Sequence, residues 1–117
     1  VKWAGRTADT DEEVGMSINT TAVLETSAKR LFPDKTVEQV LAQLLLERAQ
    51  RNLIKYHSLA RQFEVKYRQS FEVFRQQVLK AHPPWDTEQD YFDWELAISG
   101  ITDMEKEIER LRDLGEE

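Results

Sequence analysis

Few residues in this chain are of a kind that does chemistry, and their spacing does not gather them. The two histidines, His57 and His82, lie far apart, and neither stands at i, i+4 from another ligand type in a recognised motif. A metal site is therefore not expected. There is no cysteine, which removes thiolate nucleophiles, thiolate metal ligands and disulfides and fits a reducing cytosol. From Pro84 to Glu117 twelve Asp/Glu stand against three Lys/Arg, a net −9. Paired carboxylates can serve as general acid and base. Twelve acids spread through one polar segment with no accompanying nucleophile instead describe a solvated face. No Gly-rich phosphate loop and no Ser/His/Asp set is present. The expectation is a protein without catalytic residues, cofactor or metal.

The elements that must position these residues are helices. The 117-residue chain is 40% hydrophobic and 32% charged, with only four Gly and three Pro. That balance suits helices with wide solvated faces and predicts an all-α fold. No apolar run approaches the ~20 residues of a membrane span, so a soluble, cytoplasmic protein is expected. Thr36 to Arg68 contains no Gly or Pro and is long enough for a helix of roughly 50 Å. Thr36 with Gln39 forms a capping box. Leu41, Leu45, Ala49, Leu53, Tyr56, Ala60, Phe63 and Tyr67 recur at steps of four and three, which makes one apolar stripe.

Residues 1–15 show no usable periodicity and read as a flexible extension, a linker or a remnant upstream of a natural start at Met16. Residues 16–35 predict a short N-terminal helix, capped by Thr20 or Thr21 and stopped by Pro33, with Val23, Leu24, Ala28, Leu31 and Phe32 on its apolar side. Packing is favoured over DNA contact for it, because residues 17–36 carry only +1. The long helix spans 36–82. Near Ser70 it either kinks or runs on, and the stripe continued by Phe71, Phe74 and Val78 favours a continuous or gently bent helix. His82-Pro83-Pro84-Trp85 ends it. Asp86 or Thr87 caps an acidic helix over 87–114, with Tyr91, Trp94, Ile98, Ile101, Met104, Ile108 and Leu111 along one stripe and a bend expected at Ser99-Gly100. The short connection makes residues 36–117 a long antiparallel α-hairpin, which a second copy would turn into a dimeric helical bundle.

Val37 to Arg68 carries +3, so the basic and acidic helices are expected to pair internally, or the acids to face a basic protein partner. The overall charge of −6 argues against general affinity for nucleic acid. DNA binding would have to rely on Arg48, Arg51, Lys55 and Arg61. The aromatics concentrate at the hairpin's closed end: Phe63, Tyr67, Phe71 and Phe74 from one side, Trp85, Tyr91, Phe92 and Trp94 from the other. Most must close the core. Phe92, however, lies about 100° around the axis from Tyr91, so the hairpin alone cannot hide them all, and an interface is expected there.

The segments Phe63-Glu64-Val65-Lys66-Tyr67, Ser70-Phe71-Glu72-Val73-Phe74 and Asp90-Tyr91-Phe92-Asp93-Trp94-Glu95 resemble the F-E-x-K-Y, S-F-E-x-F and D-Y-F-x-W-E pattern of small helical antitoxin-type proteins from archaeal and bacterial toxin–antitoxin modules. The resemblance covers Val37 to Leu114. That family often has Gly after the Tyr, where this chain has Arg68, which speaks against a helix break at Ser70. The resemblance implies binding and neutralisation of a small basic toxin encoded nearby, an RNA-cleaving enzyme, by occlusion of its site. With the aromatic cluster, the expected partner-binding set is Tyr67, Phe71, Phe74, Trp85, Asp90, Tyr91, Phe92, Asp93, Trp94 and Glu95. Tyr91, Phe92 and Trp94 would be anchors, and Asp90, Asp93 and Glu95 the complementary charge. Alanine at Phe92 and Trp94 is then expected to weaken binding. A structural α-hairpin that self-associates is the alternative from a different class.

Overall fold

The computed structural model describes residues 10–115, with side chains over 19–114. Four helices account for nearly all of it, and no strand occurs among the described residues. They are α1 (Thr10–Leu31), α2 (Val37–Tyr67), α3 (Phe71–Lys80) and α4 (Trp85–Gly115). None of the described helices is long and apolar enough to cross a membrane. The chain divides into two units, Val1–Leu41 and Ala42–Glu117.

In the first unit, α1 is longer than the sequence suggested. It begins at Thr10 and passes through Gly15, Thr20 and Thr21 without a break, so neither threonine caps it. The signal overlooked was Asp11-Glu12-Glu13, acids that suit the positive end of a helix dipole. The part of the expected extension that precedes Thr10 lies outside the described residues. Phe32 and Lys35 close the turn that follows, through bonds to the Ala28 and Phe32 carbonyls. The capping box then forms as read: the Thr36 amide donates to Gln39 Oε1 at 2.9 Å, and the Gln39 amide donates to Thr36 Oγ1 at 3.1 Å.

The second unit is the antiparallel hairpin. At its open end Leu46, Ala49 and Leu53 of α2 pack with Met104, Ile108 and Leu111 of α4. At its closed end Phe63 packs with Phe74, Tyr91 and Trp94. The α2 stripe is displaced at its start, where Leu41 and Leu45 are exposed and Leu46 takes the core side. Each step of four overshoots a turn by about 40°, so a run of fours drifts off the face it began on. Helix α4 is continuous through Ser99 and Gly100. Gly100 allows a close approach there, because it lies buried against the Tyr56 ring.

The long helix is not continuous to residue 82. It stops at Tyr67, Arg68 turns left-handed at φ 55°, and Ser70 restarts the chain as an N-cap whose side chain accepts from the Val73 amide at 3.3 Å. The continued apolar stripe concealed the break, since α3 brings Phe71 and Phe74 onto the same core by folding back. The break that Arg68 was expected to disfavour forms at Arg68 itself. A side chain in the left-handed region costs about 1–2 kcal/mol that glycine avoids. Arg68→Gly is therefore expected to stabilise the fold by roughly 1 kcal/mol, read as a higher urea midpoint with unchanged slope. A lower midpoint would show that Arg68 contributes something other than strain.

The start of α4 also differs from expectation. Its first hydrogen bond runs from the Glu88 amide to the Pro84 carbonyl at 3.0 Å. The cap is thus Pro84, and Asp86 and Thr87 already lie inside the first turn. Proline needs no amide there, which suits it to this place.

Candidate partner-binding surface

The fold-back of α3 sorts the aromatic residues into two populations. Arg68 and Ser70 reverse the chain so that Phe71 and Phe74 fall over Trp94, which is only 1% exposed. Its ring lies 5.7 Å from Phe63, 6.1 Å from Tyr67, 5.1 Å from Phe74 and 5.3 Å from Phe71, the last pair edge-on. Tyr91 is stacked on Phe71 at 5.8 Å. Each such pair adds roughly 0.5–1.5 kcal/mol beyond the area it buries. This cluster is the core of the hairpin's closed end.

Five of the ten residues assigned to partner binding are therefore placed inside. Phe74, Tyr91 and Trp94 are buried, and Tyr67 and Phe71 pack half-buried against them. Tyr91 and Trp94 cannot be surface anchors in this fold, because the core stripe of α4 points them at α2 and α3.

Asp90 is committed too. Its Oδ2 accepts from Lys66 Nζ and from Tyr67 Oη, both at 2.5 Å. This is the one salt bridge between α2 and α4 among the described residues. The others, Arg75–Glu72 and Arg110–Glu107, lie within single helices. The expected internal pairing of the basic and acidic helices is thus confined to a single point. Glu95, though exposed, accepts from Tyr91 Oη at 3.3 Å.

Burial pushes the Asp90 carboxyl up, but the hydrogen bonds from Lys66 and Tyr67 outweigh it and hold the group below its ordinary 3.8. A carboxyl held low in the folded state lends stability that is complete above that ordinary value and lost as pH falls through the folded one. The hydrogen bond to Asp90 raises the Lys66 ammonium above its ordinary 10.5. Burial, then the same carboxylate, raises Tyr67 above 10.0. Their contributions are intact below those ordinary values and fade at higher pH. Urea midpoints measured against pH should fall at both ends, and Asp90→Asn should flatten both limbs. An unchanged profile in the variant would remove Asp90 from its place at the centre of this linkage.

What faces outward is a different set. On α4, Trp85 is 70% exposed, Phe92 52% and Leu96 65%. At about 100° per residue the three lie within a 40° sector, opposite the stripe that carries Tyr91, Trp94, Ala97 and Ile101. The first three turns of α4 are consequently apolar on two faces, with Glu88, Asp93 and Glu95 at the flanks. Large apolar side chains exposed together and flanked by charge make this the candidate interaction surface. Of the predicted set, Trp85, Phe92, Asp93 and Glu95 belong to this surface. Leu96 was missed, although it stands four residues after Phe92.

Among the described residues no three His, Cys, Asp or Glu side chains gather where an ion would sit. No protein-family model, no curated protein and no solved structure matches the chain.

Proposed function

We propose that this chain is a binding protein of the antitoxin type. It neutralises a small basic toxin, an RNA-cleaving enzyme encoded nearby, by laying the outward face of α4 over the toxin's active site. The observation that supports this reading is the exposed Trp85, Phe92 and Leu96 stripe on a segment whose net charge is −9. A site that attracts RNA phosphate is positively charged, so an acidic helix meets it with complementary potential and gains encounter rate. Charge brings the two together, and the large apolar side chains, desolvated at the centre of the contact, supply the affinity. The aromatic anchors are Trp85 and Phe92 in place of Tyr91 and Trp94.

The test is light-scattering size determination of the full chain alone and mixed with the product of the neighbouring gene. A defined mixed complex is expected. Trp85→Ala and Phe92→Ala should each weaken it roughly thirtyfold, the loss typical of an interface hot spot, with helix content unchanged. A protein whose size ignores that product, or a complex indifferent to both substitutions, would overturn the proposal.

A further inference from the structure

The hairpin carries a second surface that neutralisation does not use, and its character is the inverse of the first. On the side of α2 turned from α4, Ile54 is 68% exposed and Val65 62%. Arg51, Lys55 and Arg61 stand around them, exposed, and none forms a salt bridge among the described residues. Beside Ile54, where α2 borders α4, lies an open groove of about 640 Å³ lined by Ile54, His57, Arg61 and Glu64 together with Phe71, Trp94 and Ile101. The groove itself is bordered by both Arg61 and Glu64, and exposed Arg51 and Lys55 add positive charge on a helix that carries +3 between Val37 and Arg68. The α4 face is aromatic and acidic.

We infer that the two surfaces fit each other on separate molecules: the Trp85, Phe92 and Leu96 stripe of one copy seats against the Ile54 groove of the next. Charge selects this pairing. Two α4 faces brought together would each present the acidic segment to its like, and two α2 faces would do the same with basic residues. An α4 face on an α2 face pairs opposite charges, sets an aromatic ring near Arg61, and covers apolar surface on both sides. The patches are different surfaces of one hairpin, and the inferred contact is made once between neighbouring copies instead of reciprocally, which makes it heterologous. It leaves an unused α4 face at one end and an unused groove at the other, and growth continues with concentration instead of stopping at a two-fold dimer. The basic toxin would compete for the same α4 face, so toxin binding and self-association exclude each other. That last step alone rests on the neutralisation reading.

Sedimentation velocity of the full chain over a wide concentration range tests this. The average mass should climb with concentration, with no plateau at the dimer, and fall with added salt, which screens the charged rim. Ile54→Glu and Phe92→Glu should each weaken association roughly thirtyfold, as for a hot spot, while both keep the wild-type helix content. Mixed in equal amounts, they should form a one-to-one dimer that neither forms alone. Ile54→Glu retains its α4 stripe and Phe92→Glu retains its groove, so exactly one contact is left. A wild-type chain monomeric at every concentration, a dimer of fixed mass, or a mixture that stays monomeric would overturn the inference. Ile54→Glu should still bind the product of the neighbouring gene, so failure here is distinguishable from failure of the proposed function.

Discussion

Trp94→Ala is expected to destabilise the hairpin by about 3–5 kcal/mol, the usual cost of emptying a buried aromatic site. Small domains are stable by only about 5–15 kcal/mol, so the variant should lose a large share of its stability and melt at a markedly lower temperature. Trp94 is 1% exposed and its ring packs against Phe63, Tyr67, Phe71 and Phe74. These side chains come from α2 and α3 as well, so none can collapse into the void without moving its own helix. Phe92→Ala, two residues earlier, should change stability by less than about 0.5 kcal/mol, since that ring is 52% exposed. Thermal unfolding followed by circular dichroism separates the two. A Trp94→Ala chain that melts like wild type would mean the aromatic cluster contributes little to the hairpin. The contrast also governs how binding data are read: Trp94→Ala can abolish binding by unfolding the protein, whereas Phe92→Ala reports on the surface.

The features legible in the sequence were those with a local cause. The capping box at Thr36 and Gln39 needs only residues three apart, and it forms with both bonds in place. The stop at Pro83-Pro84 follows from proline's missing amide, and α3 ends just before it at Lys80. The antiparallel hairpin followed from two stripes joined by a short connection. What was hidden depended on competition between local and distant terms. No propensity marks Arg68 as a helix end. Burial of Phe71 and Phe74 over Trp94 outweighs a left-handed arginine, and that gain appears only once α4 is in place. The same holds for the binding surface. Composition and spacing placed the aromatics in one acidic region, but a list of aromatics does not say which way each points. Phe71 and Phe74 are spent on the core because α3 folds back, and this frees α4 to offer Trp85, Phe92 and Leu96 outward.

A helix that is apolar on opposite faces over its first three turns is unusual on the outside of a protein. Its inner face is satisfied by Phe63, Phe71 and Phe74. The outer one has the composition of an interface centre, depleted of charge at Phe92 and Leu96 and flanked by it at Glu88 and Asp93. Internal charge pairing does not consume those acids, since Lys66 and Asp90 make the single cross-helix bridge among the described residues. Exposed apolar side chains and unpaired negative charge therefore coincide on one surface, and the proposed basic partner would relieve both.

The approach of α2 to α4 depends on Gly100, and the sign of a substitution there is expected to depend on Tyr56. A Cβ at Gly100 would lie 2.6 Å from Tyr56 Cε2 and 2.7 Å from Cδ2 and Cε1, far inside the ~3.5–4.0 Å of a comfortable carbon contact. The Tyr56 ring covers the glycine, so it must rotate away or push the helices apart. Alanine should gain about 1 kcal/mol in helix propensity over glycine, while overpacking costs about 1–3 kcal/mol. The net expectation for Gly100→Ala is a loss of roughly 1 kcal/mol, with larger residues doing worse. In a Tyr56→Ala background the obstruction is gone, and the same substitution should raise stability by roughly the propensity gain. Urea denaturation of the four proteins in this cycle measures the coupling, expected near 2 kcal/mol. If Gly100→Ala stabilises the wild-type background as well, Tyr56 moves aside freely, and close helix contact is not what requires glycine at this position.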